Sequence, residues 1–498
     1  MKRVFHILAL LFYMASPSLA QSNRDLLSNN ISKLFESYKN SNLPYGFSLL
    51  VADKERVLFR GSYGFSSYEN IAPIDPKSKF RLASVSKQFT SALALILQQQ
   101  GVVNLSVPIK TYVPEFDGKD IGGITLYQLL TNVTGIPTDA FVWHWAEIPF
   151  RNDFTVEKLF DSMQNVNLMR KAGLRFNYSN AGFVLAGSIL SRITHLSYEQ
   201  LLYKYIFQPL EMNESGVDHT DSLVIRKASN YEITLDGMIK PARIRDLCAV
   251  APAAGIYSTL GDLSKWMKAI FIDGRLLSHT SYELMIKPYF DSVTYSIIHS
   301  YAMGWNNILI PLDKSDPAHI IFHDGTISGT RTMVGFFPDK QSYFVILSNM
   351  GENYRYPFSF DPDQVMLAVG QILYNRPFRL RKNSIALTLY QNALSNHSYQ
   401  FSSSEITSLA EDSNRYELSE NELIGIARGL INKDDQAFAF RFLDLAATLF
   451  PQSNMPYYYK GFAYKKAGDK ASARQYYEQA LKIKEDADIR KELQELSN

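Results

Sequence analysis

The chain has 498 residues, 51 Lys and Arg against 49 Asp and Glu, one cysteine and a hydrophobic fraction of 46%. That length holds roughly two to four domains of about 150 residues, the apolar content excludes a disordered polymer, and the formal net charge of +2 supplies no field to gather nucleic acid or an anionic membrane. Cys248 stands alone, which excludes an intrachain disulfide and a multi-thiolate metal site; between Leu247, Ala249 and Val250 it reads as a small buried hydrophobe.

Lys2 and Arg3 precede an apolar run over residues 4–14, and Ala15-Ser16-Pro17-Ser18-Leu19-Ala20 follows. A positive start, a short apolar middle and small residues before a cut predict a secretory signal over residues 1–20, cleaved after Ala20. The run is too short to cross about 30 Å of hydrocarbon, and no later stretch reaches about 18 apolar residues. No cysteine follows the cut to carry a lipid. The expected product is secreted or periplasmic, with no stable membrane span in the mature chain.

Residues 46–52 and 57–61 read as a hairpin turning at Asp53-Lys54. Residues 89–97 are largely apolar and end at Gln98-Gln99-Gln100-Gly101, the pattern of a buried helix with a glycine stop. Thr125 can cap a short helix over residues 126–130, and residues 183–193 and 198–206 read as two more helices. Thr330–Phe337 and residues 342–347 are strands joined at Pro338-Asp339. Strands at both ends with helices between them predict an α+β or α/β sandwich whose N- and C-terminal strands share one sheet.

Past residue 378 the character changes. Residues 379–419 are polar, poor in Gly and Pro, and read as a helical linker. From Glu420 the chain repeats with a period of 34: Ala427 aligns with Gly461, Leu430 with Tyr464, Ala439 with Ala473, Leu443 with Tyr477 and Ala446 with Ala480, and Pro451 closes the first unit. Small residues there let two helices approach and aromatics fill the gaps, so residues 420–498 resemble tetratricopeptide (TPR) repeats. Such arrays need about three units, so the tail is expected to lean on the preceding domain or to use residues 486–496 as a cap. A plain helical hairpin is the competing reading.

The residues able to carry chemistry begin with Ser84-Val85-Ser86-Lys87 at the head of the buried helix. Residues three apart share a helix face, so Ser84 and Lys87 can open into one cleft. Ser86 cannot share that face and Ser91 lies deeper in the apolar run, which makes Ser84 the better nucleophile. A serine hydroxyl needs a base, and a lysine serves as one where desolvation or nearby positive charge lowers its pKa. The end of a buried helix provides that desolvation, and its N-terminus offers N–H groups to an oxyanion. Tyr178-Ser179-Asn180 lies at a loop-to-helix junction, where a phenol can shuttle protons and an amide can hold a carbonyl. His323-Asp324-Gly325 precedes a strand, and Gly325 would let a substrate backbone approach. Taken one at a time these are an N-cap serine, a solvated lysine and core aromatic groups.

In the order Ser-x-x-Lys, Tyr-x-Asn, Lys/His-x-Gly, the three elements resemble the serine β-lactamase and penicillin-binding-protein superfamily, closest to its class C, esterase and D-alanyl-D-alanine carboxypeptidase branch. Segments 80–87, 129–137, 176–183, 206–212 and 255–262 and Gly304-Trp305 look like it too, so the likeness runs over about residues 45–350. A TPR tail is also seen in that family. The resemblance implies a hydrolase domain over residues 21–378, with an antiparallel sheet beside an all-helical domain. It implies that Ser84 becomes acylated and that Lys87 and Tyr178 share acid–base duty, either one taking the first proton. It further implies that Asn180 orients the substrate and that the N–H groups of Ser84 and Thr326 form the oxyanion hole. His323 would steady the Tyr178 hydroxyl or bind a substrate carboxylate. His323 departs from the lysine of class C β-lactamases; imidazole is mostly neutral at pH 7, which points toward peptidase or esterase chemistry. Asn132 replaces a frequent family histidine, with no catalytic reading. Trp143, His144, Trp145 and Phe150, in a lid segment over residues 139–165, read as packing before they read as an acyl-pocket lining.

No Gly-x-Ser-x-Gly elbow, His-Glu-x-x-His or Walker loop occurs and the nine histidines do not cluster, so no cofactor or metal is expected. The expected function is an exported serine hydrolase acting on an amide or ester, with β-lactam, D-amino-acid peptide and ester substrates all open. The alternative is a catalytically weak protein of that fold whose TPR-like tail binds a protein partner.

Overall fold

A computed structural model describes residues 2–42, 46–137, 154–219, 223–234, 238–243, 245–290, 300–314, 316–351, 358, 360–397 and 401–496, with side chains from residue 21 onward. Trp143, His144, Trp145 and Phe150, and the side chains around the expected cleavage after Ala20, lie outside the described residues.

The main sheet has six strands: β1 (Phe47–Asp53), β2 (Val57–Tyr63), β3 (Asn306–Pro311), β4 (Pro317–Ile327), β5 (Thr330–Phe337) and β6 (Ser342–Ser348). They are antiparallel in the order β3-β4-β5-β6-β1-β2. β1 pairs with β6 from Phe47 opposite Ser348 to Asp53 opposite Ser342, so N- and C-terminal strands share the sheet, as expected. Both faces are covered, which is why β1 and β6 read as unbroken apolar runs rather than alternating ones. Leu50, Ala52, Val345 and Leu347 face the helical layer, whereas Phe47, Leu49, Val51, Phe344 and Ile346 face the other way.

The helical layer is built around α2 (Ser86–Gln99), every residue of which is buried from Ser86 to Leu97. Phe89 of α2 stacks on Trp266 at 4.4 Å. The Leu126–Leu130 helix is closed by reciprocal bonds between Thr125 and Gln128, so the expected cap is a full capping box. Residues 198–206 are not one helix: α-helical turns over Tyr198–Leu202 pass into a π turn over Tyr203–Phe207. The widened turn buries Ile206 and Phe207 side by side and leaves Tyr203 exposed.

The outer face of the sheet is covered by α1 (Lys2–Lys39) and by the Pro362–Leu373 helix. In α1, Ile31, Leu34, Phe35 and Tyr38 are buried, and the Phe35 ring lies 5.1 Å from both Phe47 and Phe59. Their spacing of three, one and three is helical; the sequence reading, which took its first element at residue 46, passed over it. No helix among the described residues is long and apolar enough to cross a membrane.

The C-terminal region is helical, with helices over Ile385–Ser395, Ser403–Glu411, Glu420–Asn432, Gln436–Leu449, Met455–Lys466, Lys470–Ile483 and Ala487–Glu495. Ala427, Ala439, Leu443 and Ala446 and their period partners Gly461, Ala473, Tyr477 and Ala480 are all interior. Residues 379–419, read as a linker, join the core: Ile385, Leu389 and Tyr390 pack with Leu423, Ile426, Phe438 and Phe442 in the same apolar cluster as the outer sheet face. Asn42, just past α1, donates to Ser384 O and Thr388 Oγ1. The shared cluster predicts that Leu389→Ala lowers the unfolding free energy by about 2–5 kcal/mol in one cooperative transition. Urea unfolding followed by probes in both regions checks this, and two transitions with the sheet region unmoved would refute a common core.

Candidate active site

Ser84 lies in a single 3₁₀ turn, Ala83–Val85, immediately ahead of α2. Between Phe80 and Leu97 it is the one residue that is not buried. Ala83 before it has φ of 49°, a left-handed conformation that costs an L-residue about 1–3 kcal/mol. The surroundings hold that turn down. Leu82 O accepts from Thr332 Oγ1 at 2.8 Å, and a Cβ on Gly325 would stand 2.2 Å from Leu82 O and 2.4 Å from Thr332 Oγ1. The missing side chain of Gly325 therefore admits the serine's own turn against β4.

Lys87 is fully buried. Its Nζ lies 3.1 Å from Ser84 Oγ, 2.8 Å from Asn180 Oδ1 and 2.9 Å from Ala253 O, and 4.7 Å from the centre of the Tyr178 ring. Two of these partners can only accept, and the hydroxyl can do either. An ammonium satisfies all three by donating. A neutral amine donates to Asn180 and Ala253 and turns its lone pair to the Ser84 O–H, the arrangement a general base requires. Ser86, the competing serine, points inward and accepts the Ile256 N–H at 3.1 Å. Gly304, with φ of 76°, lies against the Lys87 carbonyl, 2.9 Å from where a Cβ would stand.

Tyr178 and Asn180 arrive on the loop into α3 (Asn180–Thr194), whose N-cap is Ser179. Asn132 holds that loop. With φ of 58°, it presents Oδ1 to the Ser179 N–H at 3.0 Å and its carbonyl to the Asn177 N–H at 2.6 Å. The Asn177 amide donates to Ile136 O at 2.6 Å, and Ser179 Oγ donates to Pro137 O at 3.2 Å. The segment over residues 129–137 is thus the bed on which the Tyr178 loop lies. Asn132, given no catalytic reading from sequence, is the residue that fixes it.

His323 is buried on β4. Its Nδ1 donates to Asp324 O at 2.6 Å, and its Nε2 lies 3.1 Å from the Tyr301 hydroxyl. Both nitrogens are engaged inside the protein, so the expectation that His323 grips Tyr178 or a substrate carboxylate is corrected: its polar contacts go to Tyr301 and to its own strand. Burial lowers its pKa to about 4, with the Lys87 charge pushing the same way. Burial raises the Tyr301 phenol well above 10, keeping its proton. Sequence reading missed Tyr301 altogether, although it stands four residues before the noted Trp305.

Thr326, on the half-buried end of β4 after Gly325, has its Oγ1 3.1 Å from Arg331 Nη1. It borders a cavity of about 240 Å³ walled also by Arg81, Arg243, Arg245 and Leu247. Ser84, Tyr178, Asn180 and Thr326 therefore reach solvent, while Lys87 and His323 are sealed behind them.

An antiparallel sheet backed by a helical layer, with a Ser-x-x-Lys pair between them whose lysine is buried, defines the β-lactamase and transpeptidase fold class. The sequence profile of the family described as Beta-lactamase matches residues 32–358, and the chain belongs to that family. It is 25% identical over 316 residues to Protein flp of Staphylococcus aureus strain MW2, covering 62% of this chain and 60% of that protein. It is 23% identical over 363 residues to Penicillin-binding protein 4* of Bacillus subtilis strain 168, covering 70% and 76%. D-amino acid amidase from Ochrobactrum anthropi SV3 shares the fold, with a TM-score of 0.59 and 22% identity over 70% of this chain and 99% of that one. The chain thus spans about three-fifths of the length of the first of these relatives.

Two outcomes are expected of the site. A misplacement of about 1 Å can cost about a hundredfold in rate, so Asn132→Ala should slow acylation by roughly 10–100-fold, measured by stopped-flow with a chromogenic ester, while Ser84 stays accessible to a small fluorophosphonate. His323 titrates near 4 when folded and near 6.5 when unfolded, so between those values the unfolded chain binds the extra proton. The stability that neutral His323 contributes is complete above about pH 6.5 and is lost as pH falls toward 4, by about 3 kcal/mol. Denaturant unfolding at pH 4.5 and 7.5 should show a smaller acid loss in His323→Gln than in the natural chain.

Proposed function

We propose that this protein is an exported serine hydrolase that cleaves an amide or ester through an acyl group carried on Ser84. The observation that carries the reading is the buried Lys87 Nζ 3.1 Å from the hydroxyl of the one open residue in its segment. Lys87 and Tyr178 share the proton traffic. As the Ser84 proton leaves, Oγ bonds to the substrate carbonyl carbon and the charge on its oxygen is met by the N–H groups of Ser84 and Thr326. The proton passes to the departing amine or alkoxide, that bond breaks, and an ester on Ser84 remains. Water adds by the same route, releasing the acid and restoring the hydroxyl. Asn180 orients the acyl group.

A neutral, internally bonded His323 supports a D-amino-acid amide or ester as substrate over a β-lactam, because His323 then offers no cation of its own to a carboxylate on the leaving side. The name of the D-amino acid amidase points the same way. Arginines beside Thr326 favour an acyl side rich in hydrogen-bond acceptors. The signal pattern over residues 1–20 supports a secreted or periplasmic location. The period of 34 supports reading residues 420–498 as TPR-like repeats, a second role in which the tail receives a protein partner.

Incubation with a fluorophosphonate and with a fluorescent penicillin, followed by peptide mass spectrometry, tests the reading. The expected adduct lies on Ser84, Ser84→Ala abolishes it, and Lys87→Ala slows acylation by about 10²–10⁴-fold. No adduct on the natural chain, or the same adduct in Ser84→Ala, would refute the assignment. Turnover of a panel of D-amino-acid amides, esters and β-lactams then selects the substrate class.

A further inference from the structure

The turn ahead of β3 touches all three motif elements. Gly304 lies against the Lys87 carbonyl. The Tyr301 ring meets Tyr178 edge-on at 6.1 Å and His323 at 5.7 Å, and packs on Phe176 at 5.3 Å. The turn is itself tied by the Ala302 N–H to Trp305 O at 2.8 Å and by pairing of Tyr301 with Asn306. Tyr301 is buried, and its hydroxyl is the partner of His323 Nε2.

We propose that Tyr301 is a positioning residue that holds His323 as the neutral Nδ1–H tautomer, with Nε2 kept as an acceptor by the phenol, so that His323 adds no charge beside the Lys87 amine. The hydrogen bonds dictate the tautomer. Asp324 O can only accept, so Nδ1 carries a proton. A second proton, on Nε2, would create an imidazolium 2% exposed to solvent and within reach of the Lys87 charge. A phenol, which can donate, makes that proton unnecessary. The groups facing His323 are Lys87 from α2, Tyr178 from the loop into α3, Tyr301 from this turn, and Asp324 on its own strand. Of these, Tyr301 alone bonds Nε2 in the structure. Without that hydroxyl, the buried nitrogen must find another donor or take up a proton. A cation there would disfavour a second cation on Lys87.

The test uses the full chain. Nitrogen-15 NMR of the histidine ring, assigned by its loss in His323→Gln, should show an Nδ1–H tautomer that does not titrate between pH 5 and 8. In Tyr301→Phe the same ring should begin to titrate inside that window, a shift of at least one pH unit. The acylation rate of Tyr301→Phe relative to the natural chain should then differ about tenfold more at pH 5.5 than at pH 8. A natural-chain ring that titrates near 6.5, an Nε2–H tautomer, or an unchanged titration in Tyr301→Phe would overturn the proposal. Should Tyr301→Phe not fold, the natural-chain spectrum decides alone. The kinetic arm rests on the Ser84 reading and the spectroscopic arm does not, so failure of the two can be told apart.

Discussion

A primary amine shut away from solvent at Lys87 is the constraint around which this molecule is organised. A buried amine must have its hydrogens bonded, and Asn180 Oδ1, Ala253 O and the Ser84 hydroxyl meet that need from three separate parts of the chain. Two of these partners can only accept. The remaining direction points to the one residue of its segment that solvent reaches, so satisfying the amine and orienting the Ser84 hydroxyl are a single geometric condition.

That condition propagates outward. Asn180 can reach Lys87 because Asn132 pins the loop before α3, and Ala253 because the Ala251–Ala254 helix packs on α2, where Thr90 Oγ1 also bonds Pro252 O. Ser84 keeps its half-buried place on a turn where Ala83 is left-handed and Gly325 leaves room for the contact with β4. β4 in turn is an interior strand of a sheet covered on both faces. The cover on the outer face comes from α1, the Pro362–Leu373 helix and the helices after residue 378, so the distant tail shares a core with the strands that carry the site.

Local pattern made several elements legible. The apolar run of α2 with its glycine stop, the Thr125 cap and the turn between β5 and β6 are short-range features, settled by periodicity and turn chemistry. Ser84 and Lys87 were legible for the same reason, since one helical turn places them together wherever the helix goes. α1 was not, because its four buried residues sit in a polar stretch of that helix whose apolar edge matters only against partners distant in sequence, such as Phe47, Phe59 and Phe360. The π turn at Tyr203 was not legible either, because it answers to the packing of two adjacent apolar residues. Asn132 and Tyr301 look ordinary in sequence; their importance lies in partners 47 and 22 residues away.

The sequence by itself determined the pairing of hydroxyl and amine, the order of the three motifs and the meeting of the terminal strands, because each is written in spacing, residue type or strand pattern. Only the tertiary structure decided what His323 and Gly325 touch. An imidazole is defined by the partners of its two nitrogens, and a glycine by the atoms that fill the place of its missing side chain; both are supplied here by segments remote along the chain.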